Sequence, residues 1–133
     1  MRRVIAEEIK DDLAQENVVL ITPLGYSPTG EIFNLSWEDV AQAVAVAIKA
    51  DKLVYLCDGP GLLNKIGEAI DAITVEEAQR LIDRKVPQSP EVDHIFRSAV
   101  AACRGGVGRV HILDRKADGA MLMEFFTRDG VGT

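Results

Sequence analysis

Two residues of this chain have types and surroundings that suit the binding of a ligand. His111 lies between Val110 and Ile112 in an apolar run, and Glu124 lies inside the apolar run 121–126. A carboxylate in such surroundings needs a cationic partner, because burying it unpaired costs free energy. An internal Lys or Arg could serve, or a cationic ligand such as a guanidinium, to which a carboxylate offers two parallel hydrogen bonds. For His111 alone, a buried histidine that bonds the backbone is the simpler interpretation.

Motifs for other chemistries are missing from the sequence. It contains neither the GxSxG of a serine nucleophile nor the GxxxxGK that precedes Ser or Thr in a P-loop. The glycines at 105–108 precede a predicted strand, whereas dinucleotide-binding glycines follow one. Cys57 and Cys103 are far apart and outside any CxxC pattern, so we expect reduced thiols and no zinc site.

Length and composition narrow the class of protein further. The 133 residues fit one domain by size, and 15 basic against 21 acidic residues give a net charge of −6, which disfavours nucleic acid. No apolar run reaches the roughly 18 residues that a membrane span requires. The first eight residues turn acidic at once and do not resemble a signal peptide. We therefore expect a cytoplasmic protein without a membrane partner.

Hydrophobic periodicity and capping signals divide the chain into alternating helices and strands. Helices are predicted at 5–13, after Ser36, after the capping box of Thr74 and Glu77, and after Ser89 with Pro90 at the first position. A short helix is predicted at 117–126, and the segment 61–73 stays ambiguous. Continuous apolar runs predict buried strands at 18–21, 53–57 and 109–113, with a loop at 23–30 and a possible short strand at 32–35.

This alternation predicts an α/β fold with a mainly parallel sheet. In such folds ligands gather at the carboxyl ends of the strands. His111 lies near that end of the third predicted strand.

Several ordered segments resemble one family, N-acetylglutamate synthase. The loop 23–31 with Phe33-Asn34-Leu35 is similar to the family's signature loop. The segments 49–53 and 58–61 resemble the helix, strand and loop of amino-acid-kinase domains. The segments 103–107, 109–111 and 124–133 also fit the synthase.

The resemblance implies a fold and a division of labour. The fold would be a three-layer αβα sandwich of the amino-acid kinase or carbamate kinase type, present here as residues 1–133, the C-terminal part of the domain. The N-terminal half-domain and an acetyltransferase domain would be absent. The parent enzyme would transfer acetyl from acetyl-CoA to glutamate in the first step of arginine biosynthesis, as a homo-oligomer inhibited by arginine.

The resemblance also implies which residues bind L-arginine: Lys49, His111, Leu113, Glu124 and Gly130. Glu124 would hold the guanidinium, Lys49 or backbone amides the ligand carboxylate, and Leu113 and Gly130 would contribute backbone. No catalytic residue, metal ligand or cofactor is expected in this chain.

Two alternatives stay open. An acetylglutamate kinase has Asn-x-Asn-Ala-Asp where this chain has Asn34-Leu35-Ser36-Trp37-Glu38, so the second Asn and the catalytic Asp are both changed. A displaced carboxylate misplaces charge that phosphoryl transfer requires, and the kinase's downstream lysine has no equivalent within 86–98. The other alternative is a half-domain that binds nothing by itself.

Overall fold

Two parallel strands with helices packed against them form the centre of the structure. The computed structural model describes residues 4–70 and 72–116. In chain order the elements are α1 (Ala6–Ala14), β1 (Leu24–Tyr26), β2 (Ile32–Asn34), α2 (Trp37–Ala47), β3 (Lys52–Cys57), α3 (Val75–Asp83), α4 (Pro90–Arg104) and β4 (Arg109–Asp114). The predicted helix 117–126, which includes Glu124, lies outside the described residues, and so does Gly130. Within the described ranges, no helix is long and apolar enough to cross a membrane.

Strands β3 and β4 confirm two of the three predicted parallel strands. They pair in parallel from Lys52 opposite Arg109 to Cys57 opposite Asp114. Side chains alternate between the two faces of a strand, so Ile112 and Leu113 point in opposite directions. Both are buried, with exposed fractions of 3% and 1%. The strand pair is therefore covered on both faces, as its continuous apolar sequence predicts.

The core lies between this strand pair and α4. Helix α4 contributes the face that the sequence predicts, and α2 and α3 pack against α4 in turn. Its buried members Ile95, Phe96, Ala99 and Val100 meet Tyr55, Cys57 and Ile112 of the strands. Cys103, the last residue predicted for this face, is only partly buried.

The helix starts test the predicted caps. Thr74 Oγ1 accepts the Glu77 N–H at 3.2 Å, and the Glu77 carboxylate accepts the Thr74 N–H at 3.1 Å, which confirms the capping box. Ser89 accepts the Val92 N–H at 3.2 Å and confirms its cap. Ser36 occupies the N-cap position of α2 but makes no capping bond with its side chain. Its hydroxyl donates to Glu38 instead, so that part of the prediction is wrong.

The predicted strand at 18–21 is also wrong for this structure. The segment has no strand partner among the described residues, and Val18 and Leu20 are 97% and 92% exposed. An apolar run indicates that burial is favourable, but a strand also needs a neighbour for its backbone hydrogen bonds.

The predicted loop at 23–30 contains a strand. Leu24–Tyr26 and Ile32–Asn34 form an antiparallel hairpin, whose turn is closed by a 2.9 Å bond from the Gly30 N–H to the Ser27 carbonyl. Gly30 has φ +87°, which glycine adopts without strain. The Pro and Gly residues thus mark the turn of a hairpin, and not a loop throughout.

Candidate functional site

The residues predicted to bind arginine lie at different levels of the strand pair. Lys49 is exposed in the turn between α2 and β3, with φ +54°. His111 and Leu113 are two residues apart on β4 and so point to the same face. They lie opposite Val54 and Leu56 of β3. Lys49 therefore lies before the amino end of β3, whereas His111 and Leu113 lie within β4.

His111 borders a mainly apolar cavity. The cavity measures about 470 Å³ and lies between the outer edge of β4, helices α3 and α4, and the segment 72–75. Its walls are mainly apolar, and the polar side chains among them include Thr74, Cys103, Arg109 and His111. Both ring nitrogens of His111 are shielded from solvent. A space of this size with few polar groups matches the usual form of a small-ligand site.

The carboxyl ends of β3 and β4 are joined by an ionic cluster. Arg115 follows β4, and its guanidinium lies 3.1 Å from the Asp58 carboxylate and 2.9 Å from that of Glu91. The Arg115 backbone N–H also donates to the Cys57 carbonyl at 2.9 Å. Because these charges are partly exposed, the cluster mainly orients the strand ends and adds little stability.

A second polar cluster joins the start of α2 to α4. His94 Nε2 lies 3.2 Å from Asp39 Oδ1 and 3.3 Å from Ser36 Oγ. The arrangement does not constitute a Ser–His–Asp relay, because there the hydroxyl and the carboxylate bond different ring nitrogens. Here both partners face the same nitrogen, so the cluster is a contact between helices.

Glu38 is a buried acidic residue next to the contact between α2 and α4. It is 8% exposed, and its carboxylate accepts a 2.5 Å hydrogen bond from Ser36. Its backbone carbonyl accepts a 3.1 Å bond from the hydroxyl of Tyr55, a side chain that is itself fully buried. The acid at the position of a kinase's catalytic Asp is therefore held inside the fold by its neighbours.

Burial raises the pKa values of three side chains, those of Tyr55, Cys57 and Cys103. It raises the pKa of the Tyr55 hydroxyl, an effect that the hydrogen bond with Ser98 partly opposes. It likewise raises the pKa of the Cys57 thiol, to which the nearby Glu91 carboxylate adds, and the pKa of Cys103. A raised thiol pKa makes a poor nucleophile at neutral pH. Neither cysteine is therefore suited to covalent catalysis.

We expect a Tyr55→Phe variant to be less stable by about 1 kcal/mol, because it loses the bond to the Glu38 carbonyl. Its response to pH should also change. A raised pKa in the folded state gives stability that is complete below the unfolded pKa of about 10 and is lost as the pH rises above it. Urea unfolding at pH 8 and pH 11 should therefore show a smaller alkaline loss in the variant.

The cysteines act in the same direction in both proteins, so their effect cancels in this comparison. An identical alkaline loss in wild type and Tyr55→Phe would show that Tyr55 is not the titrating group.

Sequence reasoning missed both polar clusters. A signal existed for one of them, because Asp58 and Arg115 each follow a predicted strand, and the carboxyl ends of parallel strands meet at one edge of the sheet. Nothing in the sequence indicated that Glu91 contacts Arg115 or that His94 contacts Asp39, since the face that a helix presents to its neighbour depends on tertiary packing. In residues 4–70 and 72–116, no group of three or more His, Cys, Asp or Glu side chains is arranged to hold a metal ion.

Comparison with known proteins identifies the family. Residues 1–114 match the model of the amino acid kinase family, and the chain belongs to that family. The predicted fold class, a mainly parallel αβα sandwich present in part, is confirmed.

Two similar sequences belong to proteins named as amino-acid acetyltransferases. An amino-acid acetyltransferase of Aeromonas salmonicida is 45% identical over the whole chain, and one of Ralstonia nicotianae is 41% identical. The chain covers 31% and 29% of these relatives, which is less than a third of their length.

Two solved structures resemble the chain closely. Both are N-acetylglutamate synthase from Neisseria gonorrhoeae, one complexed with coenzyme A and N-acetyl-glutamate and the other with coenzyme A and L-arginine. Each is 39% identical with a TM-score of 0.90, over 99% of this chain and 30% of that one.

Proposed function

We propose that this chain is an arginine-binding regulatory part of an N-acetylglutamate synthase. The parent enzyme would acetylate glutamate with acetyl-CoA, and the kinase-like part would bind L-arginine without transferring phosphate. The observation that carries the proposal is the TM-score of 0.90 to a synthase complexed with coenzyme A and L-arginine. Binding would regulate the enzyme only if arginine favours one arrangement of the parent over another.

The site would consist of Lys49, His111, Leu113, Glu124 and Gly130. In the described part, His111 and Leu113 share a face of β4, and Lys49 is exposed before β3. We assign the guanidinium to Glu124, which lies outside the described residues, because a carboxylate matches its paired N–H donors. Lys49 would neutralise the carboxylate of the ligand.

Glu38 argues against the alternative of an acetylglutamate kinase. Phosphoryl transfer depends on charges positioned toward the phosphates and their metal ions. The Glu38 carboxylate is buried and accepts a hydrogen bond from Ser36 instead. The described structure thus gives this acid a structural role at the start of α2.

Calorimetric titration of the parent protein that contains this chain with arginine tests the proposal. We expect saturable binding and at least tenfold weaker affinity, about 1.4 kcal/mol, in a Glu124→Gln variant. The substitution keeps the size of the side chain and removes its charge. Glu76→Gln, at an exposed position in the first turn of α3, is the matched control and should bind normally.

Equal affinity of Glu124→Gln and wild type would refute the assignment of Glu124. No binding of arginine to the wild type would refute the regulatory function itself. ATP-dependent phosphorylation of acetylglutamate by the same preparation would favour the kinase.

A further inference from the structure

The ionic cluster at the carboxyl ends of β3 and β4 lies where the chain leaves the paired strands. The last pair of the ladder joins Cys57 to Asp114, so the ladder does not hold the backbone beyond that point. Arg115 is the next residue, and its backbone N–H donates to the Cys57 carbonyl at 2.9 Å. The Lys116 N–H donates to the Asp114 carboxylate at 2.9 Å. These two bonds set the direction in which the chain leaves β4.

The guanidinium of Arg115 joins this point to two further elements. Its Nε lies 3.1 Å from Asp58 Oδ1, just after β3, and its Nη2 lies 2.9 Å from Glu91 Oε1, in the first turn of α4. The other oxygen of the Glu91 carboxylate accepts the Asp58 N–H at 3.4 Å, which closes the cluster. A planar guanidinium with acceptors on two of its edges is held in one orientation, which a lysine ammonium would not impose.

We propose that Arg115 is a positioning residue for the binding of arginine. This inference rests on the function proposed above, in which Leu113 and Glu124 belong to the arginine site. Leu113 lies two residues before Arg115, and Glu124 lies nine residues after it. The chain between these two residues therefore passes through the ionic cluster, which fixes the point from which Glu124 is placed. The role of Arg115 is indirect, because Asp58 and Glu91 hold its guanidinium.

The cluster affects binding more than it affects stability. Its side chains are partly exposed, 45% for Arg115 and 60% for Asp58, and ion pairs of this kind contribute little to folding. Binding differs, since the apparent affinity for a ligand falls with the fraction of molecules whose site is correctly arranged. Without the cluster, the chain after β4 is free to leave in other directions, and fewer molecules present both residues to arginine at once. Loss of Arg115 should therefore weaken binding and leave the fold intact.

Arginine affinity and thermal stability of the parent protein, measured side by side, separate these two effects. We expect Arg115→Gln to bind arginine about tenfold more weakly, as for a site that is correctly arranged in about a tenth of the molecules, with an unchanged melting temperature. Arg97→Gln is the matched control, because Arg97 makes a 3.1 Å ion pair with Asp93 inside α4, and both side chains are exposed. It should bind arginine like wild type.

A variant on the other side of the ion pair shows whether the effect passes through the cluster. Glu91→Gln should also weaken binding. The double variant of Arg115→Gln and Glu91→Gln should bind no more weakly than Arg115→Gln alone, since both changes break the same contact. Additive losses would show that the two residues act independently and would overturn the positioning role.

Two other results would overturn it as well. One is equal affinity of Arg115→Gln and wild type. The other is a melting temperature lowered by Arg115→Gln but not by Arg97→Gln, which would show that Arg115 acts on the fold as a whole. Failure of the wild type to bind arginine would instead refute the proposed function, and the positioning role with it.

Discussion

Replacing Ile95 with alanine is expected to lower the free energy of unfolding by about 3–4 kcal/mol. Ile95 has no exposed surface and lies in the cluster that joins α4 to β3 and β4. Its truncation removes three carbon atoms from contact with buried neighbours such as Tyr55, Phe96 and Ile112. The loss combines the transfer free energy of those atoms with the cost of the cavity they leave.

The loss of stability should be large because the neighbours of Ile95 have little freedom to move into the cavity. Helix α4 packs against α2, α3 and both strands of the parallel pair, so moving it to fill the cavity would disturb several contacts at once. Since a domain of this size has only about 5–15 kcal/mol of stability, the variant should lose a substantial fraction of it.

Urea unfolding followed by circular dichroism measures this loss as a lower midpoint with an unchanged slope. Ile66→Ala, which truncates an exposed residue of the same type, should change stability by no more than about 0.5 kcal/mol. A loss below about 1 kcal/mol for Ile95→Ala would show that α4 does not organise the core in this way.

The parts of the fold that sequence predicted well are those specified by neighbouring residues. Thr74 and Glu77 lie three residues apart, so their capping box forms wherever that helix begins. The buried face of α4 follows from the spacing of its apolar residues, and Ile95 and Phe96 lie where that spacing places them. Such features need no knowledge of the tertiary structure.

The errors occur where the outcome depends on distant residues. Val18–Ile21 has the composition of a buried strand, but a strand is stable only beside a partner, and the described structure provides none. Ser36 has the right type and position for a cap, yet Glu38 takes its hydroxyl because the fold buries that acid. His94 meets Asp39 only because α4 crosses the start of α2.

The sequence suggested which residue types could form the candidate site, but not its geometry, and the roles of these residues stay predictions. An isolated acid in an apolar run pointed to Glu124, and a polar residue within a buried strand pointed to His111. The sequence did not indicate that His111 borders a cavity on the outer edge of β4, because that cavity depends on how α3 and the segment 72–75 are placed. The role of Glu124 stays a prediction.

Substitution of Gly108 should weaken the start of the parallel strand pair. A Cβ atom at this position would lie 2.9 Å from the Asp51 carbonyl oxygen, closer than real contacts allow. That oxygen accepts the Arg109 N–H at 3.1 Å, the bond just before the paired strands. The carbonyl belongs to the backbone, so it cannot move aside without stretching this bond.

Two opposing terms determine the size of the effect. Replacing glycine restricts the unfolded chain and stabilises by about 0.4–1 kcal/mol, whereas steric overlap costs about 1–3 kcal/mol. We therefore expect Gly108→Ala to lose about 1–2 kcal/mol. Gly108→Val, which adds two more carbon atoms beside the same carbonyl, should lose about 3 kcal/mol. Urea unfolding measures both.

Ala101→Val provides the control, because this exposed position in α4 should lose only about 0.5 kcal/mol of helix propensity. The Gly108 variants should also shift the backbone amide resonances of residues 50–52, since the Asp51 carbonyl must move. Lys49 lies two residues before Asp51, so the same displacement reaches the turn that carries the proposed ligand for the arginine carboxylate. A Gly108→Ala variant more stable than wild type would show that the Asp51 carbonyl moves without a cost in free energy. The close approach of these two segments would then not fix the turn.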